Sequence, residues 1–135
     1  MGRPRFRQLA HTADCRLAVW GADEKEILHN GIVAALSVAL ARAPAGAPRE
    51  WRALPARPRS FAATLVAVVN EALFLLYSRR EITVAVARRR GRTLLGTRPL
   101  RAPRTALVEI KAATFHDLSP ARRRGRLRAT LTLDL

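Results

Sequence analysis

Apolar and polar residues follow two different periods along this chain, and the changes of period mark its elements. Residues 5–9 (RFRQL) and 15–20 (CRLAVW) alternate one by one, as strands with a single covered face do, and HTAD at 11–14 lies between them. From Asp23 the period lengthens. Asp23 and Glu26 form a capping-box pattern, and Leu28, Ile32, Ala35, Leu36, Ala39 and Leu40 recur at helical spacing, which predicts a first helix laid over one face of a sheet. Residues 43–59 (APAGAPREWRALPARPR) hold four prolines and one glycine, so they read as a loop with at most a short edge strand around Trp51 to Leu54.

Ser60 is positioned to cap a second helix that runs to about Tyr77 and is apolar on most of its circumference, as a central helix is. Its most apolar stretch, residues 65–76 (LVAVVNEALFLL), is shorter than the ~20 residues of a bilayer span and contains Asn70 and Glu71, so a buried helix and no membrane partner are expected. EITVAVARRRGRTLLGTRPL then gives two β runs around Arg90-Gly91, a hairpin signal because glycine supplies the positive φ of a tight turn. Residues 106–115 (ALVEIKAATF) alternate again. The last run, RLRATLTLDL, places Leu127, Ala129, Leu131 and Leu133 on one face and Arg128, Thr130, Thr132 and Asp134 on the other. These elements predict one domain over residues 1–135, an α+β two-layer sandwich with two main helices packed on a mostly antiparallel or mixed sheet.

Composition adds a strong charge. Twenty-five basic and 10 acidic residues leave a formal charge of +15, a field that attracts RNA, anionic lipid or an acidic protein. All the basic residues except Lys25 and Lys111 are arginines. Two readings therefore stand side by side, a surface selected to face nucleic acid and the arginine enrichment of a GC-rich genome. RRRGR occurs twice, at 88–92 and 122–126, each time where a hairpin turn is expected, and turn clusters are commonly solvated surface. The single cysteine, Cys15, leaves no intramolecular disulfide, and no apolar leader follows the charged start, so a cytoplasmic location is expected.

Acids are scarce enough that their places matter. Helix capping accounts for Asp23, Glu24 and Glu26, which leaves Asp14, Glu71, Glu109, Asp117 and Asp134 among the candidates for chemistry. Zinc-binding, phosphate-loop, dinucleotide and serine-hydrolase motifs are all missing. Two polar clusters remain, His11-Thr12-Ala13-Asp14 and Lys111-Ala112-Ala113-Thr114-Phe115-His116-Asp117. Each has a plain structural reading, an Asx-turn at Asp14 and partly buried histidines at His11 and His116.

With HTAD ahead of a strand and Gly21, KAATFHDL at 111–118, Asn70-Glu71-Ala72-Leu73 in the second helix, and Asp134-Leu135 in the final strand, the chain resembles the archease family of RNA-ligase accessory proteins. The resemblance implies a non-catalytic activator of the GTP-dependent ligase that joins 2′,3′-cyclic-phosphate or 3′-phosphate RNA ends to 5′-hydroxyls. Such an activator promotes guanylylation of the ligase and repeated turnover in tRNA splicing or RNA repair. It also implies a divalent cation, calcium first and magnesium or manganese as alternatives, on Asp14, Asp134 and Leu135. His11, Thr12, Lys111, Thr114 and His116 fall at partner-contact positions. Departures from the family pattern are SFAATL at 60–65 and Gly96-Thr97 where acids are usual, Phe115 in place of Tyr, and the basic charge.

The residues add their own support for a cation. Calcium and magnesium take several oxygen ligands, two carboxylates plus carbonyls and waters make a partial shell, and a terminal carboxylate on Leu135 is one more donor. If the last strand pairs beside residues 15–20, both aspartates reach one end of the sheet, where they repel unless a cation or a lysine intervenes. Lys111 either balances them or reaches toward the phosphates of the ligase's GTP. Two other functions compete. A direct RNA binder or RNA chaperone would use the arginines at 88–92 and 122–128, and a metal-dependent phosphoester hydrolase is poorly supported by two carboxylates without a third.

Overall fold

A computed structural model of the chain describes residues 5–8, 14–101, 108–115, 121–123 and 125–135, with the backbone alone at Gln8, Asp14, Phe115 and residues 121–123. Both helices begin where a side chain takes up an orphan amide. The Asp23 Oδ1 accepts from the Glu26 N–H at 2.8 Å and opens α1 (Glu24–Leu40), and the Ser60 Oγ accepts from the Ala63 N–H at 3.1 Å and opens α2 (Phe61–Arg79). Both end at a residue in the left-handed region, Ala41 at φ 60° and Arg80 at φ 54°.

The strands form two sheets, and every pairing is antiparallel. The five-stranded sheet has the order β1 (Phe6–Gln8), β2 (Asp14–Gly21), β8 (Arg126–Asp134), β6 (Ala112–Phe115), with β7 (Ala121–Arg123) also on β8. β6 and β7 share one edge of β8, at Leu131–Asp134 and Arg126–Arg128 respectively, while β2 takes the whole opposite edge. The second sheet runs β3 (Glu50–Ala53), β5 (Arg92–Pro99), β4 (Glu81–Arg89). The β4–β5 hairpin turns at Arg90 and Gly91, both with positive φ, as the Arg-Gly pair predicts.

The α+β class expected from the pattern is the observed one, with the single expected sheet divided in two. The helices lie against each other and against strands of both sheets. Cys15, Leu17 and Val19 of β2 and Ala129, Leu131 and Leu133 of β8 meet Leu28, Ile32 and Leu36 of α1 and Leu65, Val69 and Leu76 of α2 in one buried cluster. Burial removes each such side chain from water at about 25 cal/mol per Å² of apolar surface.

Three expectations change in detail. α1 does not lay one face on a sheet, because Ile27, Asn30, Gly31, Val33 and Ala34 are buried as well as its apolar stripe. α2 has the length and hydropathy of a membrane span, contrary to the estimate from residues 65–76, yet Leu65, Val68, Val69, Ala72, Leu73 and Leu76 fill the protein core. Among the described residues of the 106–115 run Ala112–Phe115 is strand, while Val108 bonds to Ala39 of α1 and, with Ile110, to Tyr77 of α2.

Candidate functional site

In the register of β2 and β8, Asp14 stands opposite Asp134, and the pairing continues without a slip to Gly21 opposite Leu127. On the other side of Asp134 is Ala112, and the Lys111 N–H donates to the Asp134 carbonyl at 2.7 Å. Residues from the two ends of the chain thus meet at one end of the sheet. Directly opposed positions on antiparallel strands have Cβ atoms about 4.5–5.5 Å apart, and like charges placed there are destabilising. Asp134 is exposed, and Leu135 beside it is 43% exposed. Among the described residues no three His, Cys, Asp or Glu side chains converge on a metal-sized space. Two carboxylates and main-chain oxygens suit a hard, water-retaining cation rather than a closed nitrogen–sulfur zinc site.

The remaining candidates divide. Thr114 is exposed and in register with Thr132. Lys111 has its backbone beside Asp134, while its exposed side chain lines a shallow pocket with Tyr77, Glu109 and Ile110. Among the described ion pairs none joins Lys111 to Asp134. His11, Thr12 and His116 lie outside the described residues.

The segment carrying Lys111 and Thr114 is held by α2. The Ala113 N–H donates to Asn70 Oδ1 at 2.8 Å, and Asn70 Nδ2 donates to the Ala113 carbonyl at 3.1 Å. Seven residues on, the Tyr77 hydroxyl accepts from the Ile110 N–H at 2.9 Å and donates to the Val108 carbonyl at 2.6 Å. Burial raises the Tyr77 phenol above its ordinary value, so it stays a donor at neutral pH. The pattern reading missed this clamp, although an asparagine in the middle of LVAVVNEALFLL was its visible sign. Cys15, next to Asp14, is buried, and burial raises its thiol too, which keeps it protonated and a poor nucleophile.

The second sheet carries an ion cluster with a structural task. Arg52 of β3 donates through Nε and Nη2 to the two Glu81 oxygens at 2.7 and 2.6 Å and through Nη2 to Glu50 at 2.8 Å. The Thr97 hydroxyl donates to Glu81 at 2.8 Å. Arg52 first, and Thr97 after it, hold the Glu81 carboxyl below its ordinary value against partial burial. These contacts tie β3, β5 and β4 together and lie away from the aspartate pair.

A two-helix, two-sheet α+β domain with an aspartate pair where its second and last described strands meet is the class these observations define. The Archease protein family (MTH1598/TM1083) matches residues 6–135, and the chain belongs to that family. A crystal structure from Thermotoga maritima, described as an archease and possible chaperone, is similar at TM-score 0.71 and 21% identity, covering 100% of this chain and 98% of that one. The solution structure of protein 1598 from Methanobacterium thermoautotrophicum is similar at TM-score 0.64 and 21% identity, covering 96% of this chain and 98% of that one. Among curated proteins none matches significantly.

Proposed function

We propose that this protein is an accessory factor that activates a GTP-dependent RNA ligase, promoting its guanylylation and repeated turnover in tRNA splicing or RNA repair. The observation that carries the reading is the register pairing of Asp14 with Asp134. An opposed aspartate pair costs stability on its own, and a bound divalent cation, calcium foremost, turns that cost into a binding site. Asp14 and Asp134 supply carboxylates and Leu135 a main-chain oxygen, and the cation supplies positive charge at the docking surface. Lys111, exposed and joined to Asp134 by none of the described ion pairs, extends to the ligase as a point charge suited to phosphate. Thr114, with His11, Thr12 and His116, contributes to the same contact. The helper role agrees with the description of the Thermotoga maritima relative as a possible chaperone.

The test is guanylylation of a 3′-phosphate/5′-hydroxyl-joining ligase by labelled GTP, with and without this protein. Acceleration by the wild type and its loss in Lys111→Ala and Asp134→Ala, both with unchanged melting cooperativity, is the expected result. No acceleration at any excess of protein removes the reading. Acceleration that persists in Asp134→Ala keeps the helper role and discards the cation site.

A further inference from the structure

The face of the five-stranded sheet turned away from the helices has a use that the aspartate pair does not explain. Leu127, Ala129, Leu131 and Leu133 point into the core, so Arg126, Arg128, Thr130, Thr132 and Asp134 share the outer face of β8. The register carries that face sideways: Arg16 and Thr114 flank Thr132, Ala18 and then Arg7 follow Thr130, and Trp20 stands opposite Arg128. Arg7, Arg16, Arg126 and Arg128 are all exposed. Each successive outer level from Arg16 through Arg7 and Arg128 to Arg126 therefore holds an arginine. With about 6.5–7 Å between levels, the row is about 20 Å long.

Its surroundings are selective. Ala18 and Thr132 between the arginines are buried, at 0% and 3% exposure, so contact with a ligand on this face falls to the exposed Arg7, Arg16, Arg126, Arg128 and Thr114. Trp20 lies half-buried beside Arg128, an aromatic platform next to a guanidinium. Arg5, opposite Trp20 at the edge, is instead paired with Glu26 at 3.4 Å. Among the described residues the exposed large apolar side chains are Trp51 on β3, Phe74 on α2, Val108 beside α2 and Leu135 past the end of β8, so none lies within the arginine row as the apolar wedge that a lipid surface accepts. Row, ring and hydroxyls together suit a flexible polyanion with stacking bases.

We propose that the outer face of the five-stranded sheet is a track for single-stranded RNA, with phosphates on Arg16, Arg7, Arg128 and Arg126 and a base stacked on Trp20. The track ends one step beyond Arg16, at the level that holds Asp14, Asp134 and Ala112 and no arginine. This goes beyond the ligase reading and does not depend on it, since guanylylation is assayed without RNA.

A short fluorescein-labelled oligouridylate, followed by anisotropy across a salt series, is the probe. Arg16→Gln/Arg128→Gln removes two charges from the track, and Arg89→Gln/Arg92→Gln removes two exposed charges from the β4–β5 hairpin. The expected result is a loss of about tenfold for the first variant, with its salt slope reduced by about one to two, and a change within about twofold for the second. In a Trp51→Phe background, where Trp20 is the only tryptophan, RNA is expected to quench its emission. Equal losses in the two charge variants, no binding at low salt, or unquenched Trp20 emission would overturn the track. So would phosphatidylserine vesicles that bind through Arg16 and Arg128 while oligouridylate does not.

Discussion

Asn70 uses one side-chain amide to do what another strand would do for the edge of β6. It satisfies both the N–H and the carbonyl of Ala113, groups that would otherwise be left unpaired against a buried helix at about 1–3 kcal/mol each. Asn70→Leu keeps roughly the same size but replaces the amide with a hydrocarbon and removes both bonds. It is expected to lower stability by about 2–4 kcal/mol and to speed amide exchange from Ala112 to Phe115 more than in the rest of the sheet, as read by hydrogen exchange. Gly21 acts through what it lacks. A Cβ there would lie 2.7 Å from the Ile27 backbone nitrogen, so no larger residue fits between the end of β2 and the first turn of α1. Gly21→Ala should cost about 2–3 kcal/mol in denaturant unfolding, by pushing strand and helix apart.

At the scale of elements, the small sheet is held by charge as well as by packing. Glu81 has a depressed carboxyl pKa because Arg52 and Thr97 hydrogen-bond its charged form, so its stabilisation is complete above the ordinary carboxylate range and fades as pH falls through the folded value. Glu81→Gln is expected to cost about 1–2 kcal/mol at neutral pH. The gap from wild type should narrow as pH falls below the ordinary carboxylate range and through the folded value, which thermal melts at several pH values would show. Thr97 stands opposite Thr83, one step along the same face from Glu81, and its hydroxyl is a donor that reaches the Glu81 carboxylate diagonally. Both helices were legible from their caps because Asp23 and Ser60 act locally. The enclosure of α1 was not, because Gly31 and Ala34 carry little hydropathy, while the bare Gly31 lets α2 approach, with Leu65 Cδ1 only 2.9 Å from a Cβ placed there. Nor does alternation name a strand's partner, which is why one sheet was expected and two are present.

For the whole molecule, the telling relation joins the ends of the described chain. Asp14 and Asp134 were each marked in the sequence by their scarcity and by the family resemblance, but their opposition is a property of β2–β8 register that neither strand contains alone. That register makes two opposed predictions about stability. Without divalent ions, Asp134→Ala should be as stable as the wild type or more so, by up to about 1 kcal/mol, because it removes a like-charge pair. With calcium the wild type should gain stability by mass action and the variant should not. Melting curves of both proteins in chelator and in calcium decide the matter, and equal calcium responses would leave the aspartates without an ion.

β8 is the only described partner of β6 and β7 and the inner partner of β2. Until Arg126–Asp134 docks, the smaller sheet can already zip up and β1 can pair with β2, whereas β6 and β7 lack their described partner and the helix surfaces that face the larger sheet stay open. This nine-residue strand therefore works as a latch. Closing it completes the larger sheet, shuts the core and creates the aspartate pair and the arginine row in a single event.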